Sequence, residues 1–316
     1  MIAFGPVPSR RLGRSLGINN IPAKICTYSC IYCQLGITIK KQIGRRIFYK
    51  PERIFNEVEE IVEEAEKRGE KIDYLTFVPD GEPILDIALG EEISLLRKIG
   101  IKIAIITNAS LIDRADVRKD LSMADLVSLK VDAISEDIWR MVDRPHISLT
   151  LNDVLDGMVK FSNEFKGDII TETMLINGVN DKEEEINRVA EFLVNLKPEK
   201  AFVAIPTRPP AESWVKPARE HVINLAYQKF SKKLGVDRVE YLIGYEGNGF
   251  AFTGNVVEDL ISITSVHPMR EDAVEKFLEK ADTDWSVVHD LIKKGKLVKL
   301  EFEGHKFYMR RLPGRR

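Results

Sequence analysis

The strongest constraint on this chain is a repeated switch of hydrophobic period between residues 15 and 234. A short strand signal at 15–21, interrupted by Gly17, Asn19 and Asn20, and apolar runs at 72–78, 101–106, 126–131, 168–176 and 201–205 are each followed by other material before the next begins. From Pro51 onward that material has apolar residues at three- and four-residue spacing, as in Ile54, Val58, Ile61, Val62 and Ala65. Strand and helix signals in alternation predict right-handed parallel βαβ units. Six such strands fall short of the eight of a closed (β/α)8 barrel. The expected fold is therefore α/β, a partial (β/α)6 TIM-like barrel over residues 1–254, with ligands at the C-terminal ends of its strands. The turn-rich stretch 4–13, with Pro6 and Pro8, cannot be a central strand and is expected to pack across one end of the barrel.

All three cysteines lie in one stretch, Cys26-Thr27-Tyr28-Ser29-Cys30-Ile31-Tyr32-Cys33, just past the first strand. An odd count in a long chain argues against a disulfide scaffold. Thiolates suit zinc, copper(I) or iron–sulfur clusters. A structural zinc site of three Cys and one His would need a distant partner, the nearest being His146. A cubane cluster ordinarily takes four Cys ligands, so three would leave one iron open.

The C-x3-C-x2-C spacing, with an aromatic residue before the last cysteine, resembles the radical S-adenosylmethionine (SAM) superfamily. The resemblance implies a [4Fe-4S] cluster on Cys26, Cys30 and Cys33, with SAM chelating the open iron and Tyr32 near the adenine through its backbone. It also implies an external one-electron donor. The stretch Gly-Pro-Val-Pro-Ser-Arg-Arg-Leu-Gly at 5–13, with Gln34-Leu35-Gly36 after the cysteines, is similar to the group containing the tRNA wyosine synthases. Those enzymes carry a second cluster on extra N-terminal cysteines, which this sequence lacks.

Further candidates sit where strands end. Asp80-Gly81-Glu82-Pro83 reads alone as a turn; within the family it resembles the Gly-Glu-Pro motif, which would put Gly81, Glu82 and Pro83 at the SAM amino group, with Asp80 where Gly is usual. Asn108, Lys130 and Glu172 lie at or near the ends of the third, fourth and fifth strands, where family members contact the SAM carboxylate, ribose and adenine. Asn180 reads either as a helix N-cap or, by analogy, as a neighbour of adenine. Arg208, between Pro206 and Pro209, is a candidate fork onto a substrate carboxylate or phosphate. The segment 245–250 reads as a flap or a plain glycine-rich turn.

After residue 254 the alternation stops. Helix signals at 256–263, 270–280 and 284–294, the last capped by Asp284, precede a hairpin signal at 296–302 and 306–311. This order is similar to a winged helix and predicts a small winged-helix-like domain over residues 255–316. It would serve either to bind nucleic acid, with Lys293, Lys294, Lys296, Arg310 and Arg311 on phosphates, or to dock and close the open barrel.

The net charge of −2 conceals an asymmetry. Residues 1–50 hold nine basic and no acidic side chains, and residues 290–316 hold nine basic against three acidic, which leaves −17 for the middle. A basic segment beside the cysteine loop suits a polyanionic substrate such as tRNA, or is simply a solvated face. No run of eighteen apolar residues and no signal-peptide pattern occur, so a cytoplasmic protein with no membrane partner is expected. Three activities follow: a radical SAM enzyme abstracting hydrogen from tRNA or another polyanion, an activase or modifier of proteins or peptides by the same chemistry, or a cluster-based redox sensor that binds nucleic acid.

Overall fold

The computed structural model describes residues 2–244, 250, 252, 254–266 and 268–311. Eight strands form one sheet in chain order: β1 (Ala3–Ser9), β2 (Gly13–Ile18), β3 (Tyr74–Phe77), β4 (Lys102–Thr107), β5 (Leu126–Lys130), β6 (Asp168–Met174), β7 (Lys200–Ala204) and β8 (Val239–Leu242). From β2 to β8 every neighbouring pair is parallel, and only β1 runs antiparallel, against β2. The α/β partial barrel expected from the alternation is present, with one further parallel strand, β8. That strand has only four residues, alternates Glu240 with apolar neighbours, and escapes a search for apolar runs.

The segment 4–13 lies across the end of the barrel only in its last few residues. Its first part supplies edge strand β1, where prolines are tolerated because one side of the strand has no ladder partner. Its turn into β2 then folds into the barrel floor. Leu12 is buried there among Ala104, Leu126, Ile170 and Phe202, and the Arg10 guanidinium donates to the Tyr241 carbonyl on β8 at 2.8 Å.

Alternation along the strands sorts side chains between two faces. Ile103 and Ile105 of β4, and Val127 and Leu129 of β5, join the large outer core under the helices; Ala104 and Leu126 belong to the small inner cluster. The helices covering the outer face are α1 (Pro51–Lys67), α2 (Leu89–Leu96), α3 (Ala115–Leu121), α4 (Glu136–Val142), α5 (Leu151–Glu164), α6 (Glu183–Leu196) and α7 (Glu220–Leu234). In α1, Pro51 starts the helix at a position where its missing N–H would have had no intrahelical acceptor, and Ile54, Val58, Val62 and Ala65 form the buried stripe. Each buried Ile or Val of this stripe is worth about 1.5–3 kcal/mol, and the Ala65 methyl about 0.8 kcal/mol. Residues 84–99, whose apolar spacing predicts one helix, instead form a short turn at Pro83–Leu85 followed by α2.

Beyond the barrel come α8 (Val256–Val266), β9 (Met269–Arg270), α9 (Glu271–Lys280), α10 (Ser286–Lys293), β10 (Leu297–Phe302) and β11 (His305–Arg310). The last two strands and β9 form an antiparallel sheet in the order β10-β11-β9. Strand β9, only two residues long, carries no sequence signal. The hairpin turns at Glu303-Gly304, both with positive φ (48° and 73°), the backbone a tight two-residue hairpin demands. Trp285 rather than Asp284 occupies the cap position of α10, although Asp284 accepts the Ser286 N–H at 2.7 Å. A second core built on Leu260, Phe277, Leu291 and Tyr308 includes Phe4 and Val7 of β1, with Val78 against it, so these elements are fastened to the edge strand.

Candidate active site at the barrel mouth

The cysteine loop leaves β2 at its C-terminal end and is pinned by its backbone. Ser29 and Ile31 donate to the carbonyls of Asp143 and Val142, Gln42 donates to the Cys26 carbonyl, and the His146 N–H reaches the Thr27 carbonyl. The loop 80–83, leaving β3, is bonded to it in turn: Lys24 N–H donates to the Asp80 carbonyl at 2.7 Å and Glu82 N–H to the Ile25 carbonyl at 3.0 Å. Gly81 is required by this approach, because a Cβ there would lie 1.9 Å from the Ile25 carbonyl oxygen.

Glu82 is buried, and its carboxylate accepts from the Thr107 hydroxyl (2.5 Å), the Asn108 N–H (2.8 Å) and the Ile84 N–H (3.3 Å). Burial pushes it up to about 7, and these three donors restrain the rise. Asn108 touches both halves of the site, since its side-chain amide donates to Cys26 Sγ at 3.7 Å and to the Thr27 hydroxyl at 2.9 Å. The Tyr28 N–H also approaches Cys26 Sγ at 3.5 Å, and Lys24 Nζ lies 4.0 Å from Cys33 Sγ.

Burial, then the Glu82 charge, raises the Cys26 thiol to about 12; burial followed by Asp143 raises Cys30. The bare Cys26 and Cys30 thiols are thus held neutral, and a bound metal would be what deprotonates them. Among the described residues no three His, Cys, Asp or Glu side chains converge as a cage for a single ion. A cubane makes a different demand, one thiolate on each of three irons. Three mutually interacting thiols on a pinned loop, with N–H donors aimed at sulfur, fit that group.

Inside the mouth lies a buried ionic network. Lys130 Nζ is 2.8 Å from Glu172 and 3.5 Å from Asp132, and sits 4.9 Å from the centre of the Tyr32 ring. The Tyr32 hydroxyl donates to Asp132 and, at 3.4 Å, toward Asp143. Arg11 arrives from the barrel floor to pair with Glu172. Burial works to raise Glu172, but Lys130 and Arg11 overcome it and bring the carboxyl down to about 2. Lys130 is depressed by burial and raised further by Asp132 and Glu172, so it stays charged. Arg208, on the loop after β7, donates to Gln34 at 2.9 Å, just past the last cysteine.

Of the residues singled out in the sequence, Cys26, Cys30, Cys33, Tyr32, Gly81, Glu82, Pro83, Asn108, Lys130, Glu172 and Arg208 all lie around this mouth. Asn180 is near it but is not the cap of α6, whose cap position is Lys182. Its amide is used on backbone, donating to the Asp132 and Met174 carbonyls and accepting from Ile176 N–H. The segment 245–249 lies outside the described residues. Three contributors were not singled out as site residues: Arg11, read only within the stretch 5–13 and as charge; Asp143, which carries no motif; and Arg45, counted only as charge. The Arg45 side chain is 2 % exposed and binds the Ile84 and Asp86 carbonyls (2.9 and 2.8 Å), Asp116 and Asp120.

Comparison with known proteins decides the family. The description "Radical SAM superfamily" matches residues 20–192. The chain belongs to the radical SAM superfamily. It is 50 % identical over 314 residues to a UPF0026 protein of Methanocaldococcus jannaschii, covering 99 % of this chain and 97 % of that one. Among solved structures it is similar in fold to Streptococcus suis SuiB bound to the precursor peptide SuiA (TM-score 0.56, 13 % identity, 86 % of this chain and 65 % of that one). It is likewise similar to TYW1 with a lysine-pyruvate adduct bound (TM-score 0.52, 17 % identity, 69 % and 73 %). Membership makes this radical SAM chain an enzyme of unassigned reaction and implies an iron–sulfur cluster and SAM. Among the described residues no helix is long and apolar enough to cross a membrane.

Proposed function

We propose that Cys26, Cys30 and Cys33 hold a [4Fe-4S] cluster whose open iron takes SAM, and that the enzyme abstracts hydrogen from a substrate brought to the barrel mouth. When bound, the cluster would pass an electron to SAM, breaking a C–S bond and yielding the 5′-deoxyadenosyl radical. The chain's own residues bind, orient and exclude water. The observation that carries this reading is the Asn108 bridge, which ties the Glu82 carboxylate to the Cys26 sulfur.

Glu82 Oε2 has one partner and room for another donor, which suits the SAM ammonium. Lys130 and Asn108 would face its carboxylate and ribose. Glu172 and Asn180 act behind them, since Glu172 already carries two cations and Asn180 is spent on backbone. With three cysteines in the whole chain the electron comes from an external donor. A cytoplasmic setting is part of this reading.

The test is anaerobic reconstitution with iron and sulfide, reduction with SAM present, and an assay for 5′-deoxyadenosine. Product that disappears in Cys30→Ala is expected. No product from a fully loaded, reducible cluster would overturn the enzyme reading in favour of a redox sensor, for which the Glu82 carboxylate would have no use.

A further inference from the structure

The sheet β10-β11-β9 is electrostatically polarised. At the start of β11, Lys306 pairs with Glu271 at 3.1 Å, and Arg270 of β9 pairs with Asp272 at 3.2 Å. At the other end of the hairpin, roughly 13 Å away at strand rise, the exposed side chains are basic. Arg310 pairs across the ladder with Leu297, and the Arg311 N–H donates to the Lys296 carbonyl at 2.8 Å. The Lys296 N–H in turn reaches the Leu291 carbonyl of α10, the helix that ends at Lys293. Lys293, Lys296, Arg310 and Arg311 therefore share one corner, all exposed. Among the described residues no acidic side chain forms a salt bridge with any of them, whereas neighbouring Lys294 is held by Asp290 at 2.6 Å.

This corner adjoins the mouth. The second core anchors it to Phe4, Val7 and Val78, two residues before Asp80. Asp80 is buried, and one of its oxygens has no hydrogen-bond partner. Burial pushes Asp80 up to about 7, opposed first by Arg310 and then by Lys24. Lys24 is the residue beside Cys33. A line of four positive groups thus runs from Arg310, which faces the Asp80 loop, to Arg311, Lys296 and Lys293, while Lys24 is held by the Gly36 carbonyl.

We propose that this line is a track for the phosphodiester backbone of a single-stranded nucleic acid, delivered to the mouth as substrate. Its location depends on the active-site reading above; the binding itself does not. A single strand fits better than a duplex groove. Helix α10, placed as a winged helix places its groove-reading helix, carries one lysine against Asp290, and the remaining charges lie on strand ends and a loop. Such a surface follows phosphates and reads no base edges.

The experiment uses the full chain and measures fluorescence anisotropy with labelled mixed-sequence single-stranded RNA, the same sequence as DNA, and its duplex. Four phosphate contacts predict an affinity loss of about fifty-fold between about 50 and 200 mM salt, falling to about threefold in Lys293→Gln/Lys296→Gln/Arg311→Gln, which leaves one contact. RNA and DNA strands binding with that salt dependence support the track, and a preference between them identifies the sugar. Salt-independent binding, tighter binding to duplex or to phosphatidylserine vesicles, or a folded triple variant with unchanged affinity would overturn it. Because binding needs no cluster, failure of the deoxyadenosine assay with binding intact would sink the active-site reading alone.

Discussion

The two basic ends of the chain look alike in composition but spend their cations differently: four of the first fifty residues' cations are tied into the barrel, and four near the C-terminus gather at one exposed corner. In the first fifty residues Arg11 pairs with Glu172, Arg14 with Glu70, and Arg45 with Asp116 and Asp120, while Lys41 binds the carbonyls of Arg144 and Pro145. These cations hold the barrel together, and their charge is largely neutralised before any substrate arrives. Near the C-terminus the corner cations face solvent. A charge count reports how many cations there are; only the fold shows which are left over to meet a partner.

Arg45→Leu tests this contrast most severely. It strips two carbonyls of a donor and leaves Asp120 facing an apolar side chain, so a loss of about 3–5 kcal/mol is expected in urea unfolding. The same change at Arg14, whose side chain is 42 % exposed, should cost less than about 1 kcal/mol. Equal losses would erase the distinction between buried and exposed cations within the N-terminal set.

Gly81→Ala comes next. The methyl would collide with the Ile25 carbonyl, and overpacking of this kind costs about 1–3 kcal/mol. Calorimetric titration of the reconstituted protein should show SAM binding lost even where the variant still folds. Retained affinity would mean that the two loops need not touch.

A third prediction concerns the buried acids behind the Glu82 loop. Burial, followed by the neighbouring Asp86, pushes Glu92 up to about 9 from an ordinary 4.5. Between those values the unfolded chain has given up a proton that the folded chain keeps. Stability therefore falls as pH rises through this window and levels off above it. Thermal melts of Glu92→Gln, whose amide stays neutral, should show a shallower decline over the same range; an identical decline would assign the effect elsewhere.

Smallest of all, Lys294→Ala should change stability by no more than about 0.5 kcal/mol, since its partner Asp290 is exposed. A larger loss would place this end of the chain in the same class as the first.

Periodicity carried the barrel because helices and parallel strands are long repeated signals, and the thiol spacing carried the family. Neither signal extends to β8 or β9, which are too short to show a period. Of the two readings of Asn180, the cap fails because capping and backbone stapling draw on the same amide. Arg11, Arg45 and Asp143 were illegible for a different reason. Each acts across more than fifty residues of sequence or through a neighbour that only the closed sheet supplies, as Arg11 does with Glu172.

The turn between β1 and β2 has a kinetic corollary. With Leu12 seated in the floor and Arg10 reaching across to β8, side chains cover the end of the sheet opposite the cysteines. Under the function proposed above, reactants and products would share the mouth and queue there. A large substrate resting on the rim would trap whatever entered before it, so SAM would have to bind first.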